Sequence, residues 1–139
     1  MPILKLKLSV ESLPKMDVGK TQWCDPYVIV LRSDNGGILR ECHRTKIVKN
    51  CKDADFDEFE VKSHDFRITN DSGFKKNILY FRVMDNDFLS GDDYIGLAPV
   101  DIEDIRNLKI SVGNDKTFKI VEQLEEGGRL VIRNGGFFK

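Results

Sequence analysis

Polar and apolar residues alternate from the start of the chain. Across residues 3–10, Leu4, Leu6, Leu8 and Val10 fall on one side and Lys5, Lys7 and Ser9 on the other, the period of a strand with one buried face. Residues 27–32 are apolar at nearly every position, as in a central strand covered on both faces. Ser33-Asp34-Asn35-Gly36-Gly37 then reads as a hairpin turn leading into a strand expected from Ile38 to Val48. Phe59 and Val61 resume strand alternation after a polar, turn-like stretch. Residues 62–76 form a connection rich in Ser, Asn, Asp and Gly, with no assignable element.

Ile78 to Met84 is a further apolar strand, followed by a short one from Ile95 to Pro99. Asp101 opens one helical turn, with Glu103 and Asp104 in its first turn and Ile102, Ile105 and Leu108 on one side. Thr117 to Val121 and Arg129 to Ile132 read as the closing strands. About eight short strands and one short helix predict an all-β, eight-stranded antiparallel β-sandwich.

Size and composition narrow the picture. At 139 residues with no internal repeat or composition break, residues 1–139 are expected to form a single domain. The net charge of -1 conceals a segregation, with acids concentrated near residues 53–60 and 85–93 and bases between Arg40 and Lys52. The sequence contains no apolar run long enough for a membrane-spanning helix and no signal-peptide pattern, so a cytoplasmic protein is expected. Cys24, Cys42 and Cys51 are odd in number and lack zinc-site spacing, which predicts reduced structural thiols.

The segment carrying the most chemistry runs from Met84 to Gly96. It places Asp85, Asn86, Asp87, Ser90, Asp92 and Asp93 in one short loop, with Phe88 and Leu89 at its tip. Asp, Asn, Ser and Gly are ordinary turn residues, but several ionised carboxylates held close together repel unless a cation lies between them. Oxygen donors at this density suit calcium rather than zinc. The EF-hand spacing is absent, so further ligands must come from elsewhere. The loop after the first strand supplies Asp17 and Asp25.

Taken in order, Leu13-Pro14, Asp17, Gly19, Asp25-Pro26-Tyr27-Val28, Asp85-Asn86-Asp87, Asp93 and Ile95-Gly96 resemble the C2 domains of synaptotagmins, protein kinases C and phospholipases. Asn50-Cys51 and Asp57-Glu58 stand where that family usually carries Asn-Pro-x-Trp-Asn-Glu. The resemblance implies two or three calcium ions held by Asp17, Asp25, Asp85, Asp87 and Asp93. It adds the carbonyls of Met16 and Asn86 and the hydroxyl of Ser90 as further ligands. Asp92 competes in register with Asp93, and Tyr94-Ile95-Gly96 favours Asp93. The chain order, with an extra strand at the end, implies the type II circular permutation.

The same resemblance implies calcium-dependent docking on acidic phospholipids, with phosphatidylserine and phosphoinositides as candidate partners. Val18, Phe88 and Leu89 match membrane-dipping positions, although Phe88 or Leu89 folded back over the loop base is the alternative. Trp23 reads either as an interfacial anchor or as core at the sandwich mouth. By strand alternation Arg40, Arg44 and Lys46 share a face, and the family often binds phosphoinositides there; the alternative is a solvated face.

No nucleic-acid reader motif accompanies this basic stretch. His43 and His64 lack the neighbours a nucleophilic centre needs, so no enzyme is expected. The expectation is a monomer that joins membranes peripherally when calcium binds. The competing expectation is a protein-interaction module with structural calcium or none.

Overall fold

In a computed structural model, the structure describes residues 3–15, 23–33, 38–61, 78–87, 91–101, 119–133 and 137–138. It contains ten strand segments among them and no helix. They are β1 (Ile3–Glu11), β2 (Pro26–Ser33), β3 (Leu39–Arg44), β4 (Ala54–Asp55), β5 (Phe59–Val61), β6 (Ile78–Asp85), β7 (Asp93–Asp101), β8 (Lys119–Gln123), β9 (Arg129–Arg133) and β10 (Phe137–Phe138). The expected hairpin turn at 34–37 and helix at 102–110 lie outside the described residues. Asp101, expected to start that helix, ends β7 and pairs with Ile78.

All pairings are antiparallel. One sheet has the order β3-β2-β6-β7; the other runs β10-β1-β9-β8, with β4 and β5 also pairing with β1. The first strand is therefore central to its sheet. Ser9 faces Asp55 of β4 on one edge and Val131 of β9 on the other. Strand β9 lies between β1 and β8.

The alternation in the sequence becomes the core. Leu6, Leu8 and Val10 of β1 meet Val28 and Val30 of β2, Leu79, Phe81 and Val83 of β6, and Leu130 and Ile132 of β9. Burying each such side chain contributes about 1.5–3 kcal/mol of favourable transfer free energy. Strand β2 is covered on both faces, as its continuous apolar run requires. On the outer face Tyr27, Ile29 and Leu31 pack with Leu39, Tyr80 and Met84.

Two departures from regular pairing shape the functional end. Strand β3 stops at Arg44, short of the expected Val48, because Thr45 Oγ1 accepts the Val28 amide in place of a main-chain carbonyl. Thereafter the 45–51 segment follows β2 through isolated bonds from Thr45, Val48 and Cys51 to the carbonyls of Val28, Pro26 and Cys24. In β7 the register shifts beside Ile95, and the chain then passes the 124–126 turn closely at Gly96. A Cβ on Gly96 would lie 2.8 Å from the Leu124 Cβ and 2.9 Å from the Glu125 amide nitrogen, which explains the small residue at this position.

Candidate functional site

The acidic residues gather at one end of the sandwich because β2 and β6 are neighbours and Asp85 pairs with Pro26. The Asp25 amide donates to Asp85 Oδ1 at 2.8 Å, and the Asn86 amide returns a bond to the Asp25 carbonyl at 3.0 Å. The exit of the first loop, after β1, and the entrance of the loop between β6 and β7, termed the third loop, are thus fastened together. Across β6 and β7, Asp85 lies directly opposite Asp93. Asp85 is almost fully buried, and Asp93 Oδ2 is also buried.

The side chain of Asp25 has two further neighbours. Its Oδ1 accepts the Asn50 amide at 2.7 Å, and its Oδ2 lies 3.9 Å from Lys49 Nζ. Asn50 adopts a left-handed backbone with φ of 51°, a conformation Asn tolerates better than most residues. That geometry lets its own Oδ1 receive the Trp23 amide at 2.9 Å. From sequence Asn50 reads as part of a turn and stands where the family's Asn-Pro-x-Trp-Asn-Glu would begin, with no sign of its bonds to Asp25 and Trp23.

Asp92 has a different task from Asp93. Its Oδ2 receives the Tyr27 hydroxyl, and its Oδ1 receives the Asp87 amide at 3.0 Å and the Asn86 Nδ2 at 3.2 Å. The Tyr27 hydroxyl, followed by the Asp87 amide, holds the Asp92 carboxyl below its ordinary value. Burial and then the Asp92 partner push Tyr27 up to about 12. Asp92 braces the loop, whereas Asp93 lies across from Asp85.

Of the expected ligands, Asp25, Asp85, Asn86, Asp87 and Asp93 are described, and Met16, Asp17 and Ser90 lie outside the described residues. Among the described residues no three His, Cys, Asp or Glu side chains form a group that could hold a metal ion. The side chains that do converge offer oxygen donors alone, the chemistry of a hard cation. By themselves they do not enclose a cation.

Val18, Phe88 and Leu89 also lie outside the described residues. Trp23 is not core at the sandwich mouth, being 38% exposed. The expected common face of Arg40, Arg44 and Lys46 is broken by a register shift between Val30 and Leu31. Arg44 stands opposite Ile29 of the outer cluster, whereas Arg40 stands opposite Arg32, which alternates with the inward Val28 and Val30. Lys46 lies beyond the strand, 3.9 Å from Asp57. Arg44 is 2.7 Å from Glu41 and lies over the Tyr27 ring.

His43 stacks on Phe59 with ring centroids 4.0 Å apart. Cys24, Cys42 and Cys51 form no disulfide; Cys24 is buried with its Sγ 2.9 Å from the Pro14 carbonyl. Among the described residues no helix is long and apolar enough to cross a membrane.

Known proteins place this architecture. Among curated proteins none matches the sequence significantly. A solved structure of a C2 domain superposes with a TM-score of 0.62 at 21% identity, covering 100% of both chains. A C2 domain of plant extended synaptotagmin 1 gives 0.68 at 15% identity, over 99% of this chain and 95% of that one. Human GIVD cytosolic phospholipase A2 gives 0.67 at 20% identity, over 98% of this chain but 16% of that much longer one. These likenesses show the fold. The C2 domain family model matches residues 6–120, and with two antiparallel sheets carrying Asp25, Asp85 and Asp93 at one end, the chain belongs to the C2 domain family.

Proposed function

We propose that this C2 domain binds acidic phospholipid membranes in response to calcium and serves as a non-catalytic targeting module. The observation that carries the reading is the bond from the Asp25 amide to Asp85 Oδ1, which fastens the segment carrying Asp25 to the one carrying Asp85, with Asp93 opposite Asp85. Asp17, Asp25, Asp85, Asp87 and Asp93 would hold the ions, with Met16, Asn86 and Ser90 supplying neutral oxygens. Two or three calcium ions are the number the five carboxylates suit.

The switch is electrostatic. Five carboxylates carry about -5, and two divalent ions bring about +4. A loop end that repels phosphatidylserine then tolerates it, and headgroup oxygens can complete the coordination. Apparent calcium affinity consequently tightens when lipid is present, because lipid binds the loaded state preferentially. Val18, Phe88 and Leu89 are the apolar tips that enter the interface. Arg40, Arg44 and Lys46 add attraction to phosphoinositides, each cation contributing about 1 kcal/mol near an acidic surface.

A second reading has its own support. Asp25 is already engaged by Asn50 and Lys49, which suits a protein-interaction module whose loop end needs no ion. Co-sedimentation with phosphatidylserine-containing vesicles, in calcium and in chelator, separates the two. Wild-type binding in calcium alone, lost in an Asp85→Asn/Asp87→Asn double variant, supports the switch. Indifference to vesicles in both conditions rejects it and favours the protein-interaction reading.

A further inference from the structure

Trp23 is the single tryptophan of the chain, and it stands between two cations. Lys15 Nζ lies 4.6 Å and Lys52 Nζ 5.5 Å from its ring. These lysines come from separate segments, one leading into the first loop and the other following β3. Both are exposed, and the ring itself stays partly open to solvent. Lys49, 71% exposed, lies 3.9 Å from Asp25 Oδ2.

The arrangement is fixed to the acidic end of the sandwich. The Trp23 amide is bonded to Asn50 Oδ1, the Asn50 amide to Asp25, and the Asp25 amide to Asp85. Beneath it, the Cys51 amide bonds the Cys24 carbonyl and the Leu13 amide bonds the Lys52 carbonyl. Among the described residues, Asp53 accepts the Ser12 amide, and Asp25 accepts the Asn50 amide beside Lys49. An aromatic ring with a polar N–H edge, flanked by ammonium groups on flexible stems, matches the lipid headgroup zone, where the ring finds an interface and the cations find phosphates.

We propose that Trp23, Lys15 and Lys52 form a membrane-contacting patch beside the carboxylate end, seating the docked domain in the headgroup layer of an acidic bilayer. The proposal rests on the membrane reading above and adds a contact set apart from the carboxylates and the loop tips. Trp23 is the anchor, and the lysines supply the preference for anionic headgroups.

The single tryptophan makes the test direct. The full chain is mixed in calcium with phosphatidylcholine vesicles containing phosphatidylserine, with and without bromine on the acyl chains near the headgroup. The expected result is a blue-shifted Trp23 emission, quenched by the brominated lipid. A Lys15→Ala/Lys52→Ala variant with unaltered calcium affinity should bind the vesicles more weakly, by about fivefold per lysine. Vesicle binding with Trp23 emission neither shifted nor quenched would overturn the patch and leave the membrane function standing. No vesicle binding under any condition would overturn both.

Discussion

The hydroxyl of Tyr27, on the central strand β2, donates to the carboxylate of Asp92 in the loop between β6 and β7. Asp92 in turn receives the amide of Asp87 and the side chain of Asn86. A core-anchored residue thus ties down Asp92, and through it Asn86 and Asp87, from the outer face of the sheet. Tyr27→Phe should keep the ring in its apolar cluster and release Asp92. Because Asp92 is exposed, the expected loss of stability is modest, about 1 kcal/mol in urea titration. Amide exchange at Asp87 should accelerate far more than exchange in β2, whereas equal protection in both forms would show that the hydroxyl does not brace the loop.

Thr45 carries the transition from strand to irregular chain. Its buried hydroxyl accepts the Val28 amide at 2.8 Å and donates to the Lys46 carbonyl at 3.0 Å. Thr45→Val keeps the shape and removes the acceptor, leaving a core-strand N–H without its bond. The expected cost is about 1–3 kcal/mol, read from the chemical-denaturation midpoint. Thr45→Ser should recover most of it, since the oxygen returns; a shortfall in the serine variant equal to that of valine would assign the effect to packing.

His43 predicts the direction of acid sensitivity. Burial against Phe59 lowers its pKa from the ordinary 6.5, so the unfolded chain takes up a proton at a pH where the folded chain does not. By linkage, this group's contribution to stability falls as pH drops below 6.5 and is fully present above it. His43→Phe keeps an aromatic partner for Phe59 and removes the proton site. The slope of stability against pH should flatten in that variant, measured by urea unfolding at neutral and at slightly acid pH.

The fold is legible where the physics is local and periodic. Alternation in β1 and the continuous apolar runs of β2 and β6 each report a face and its covering, and those strands lie where the pattern puts them. The Asp25-Pro26-Tyr27-Val28 and Ile95-Gly96 motifs are readable because proline, glycine and acid at those places answer backbone needs. Irregularity is less legible. The early end of β3 depends on one threonine hydroxyl replacing a carbonyl. The separation of Arg40 from Arg44 depends on a bulge that no alternation pattern announces. Asn50 reaches Asp25 across 25 residues and Tyr27 reaches Asp92 across 65, and nothing in their immediate neighbours specifies those partners.

The two adjacent acids at the end of the third loop offer the sharpest separation of roles. Both are aspartates, and from sequence they read as rivals for one ligand position. In the structure Asp93 lies across from Asp85, whereas Asp92 accepts from Tyr27 and the Asp87 amide. Asp93→Asn removes a charge from the proposed cation-binding side of the loop. Asp92→Asn removes a charge from the bracing side and keeps an oxygen that can accept the Asp87 amide. Calorimetric calcium titration should therefore show a large loss for Asp93→Asn, at least about tenfold, since even outer partners of a metal site alter affinity on that scale. Asp92→Asn should retain most of the affinity while lowering thermal stability. The reverse ranking would exchange the two assignments and place Asp92 among the ligands, and the cation would then have to lie on the Tyr27 side of the loop.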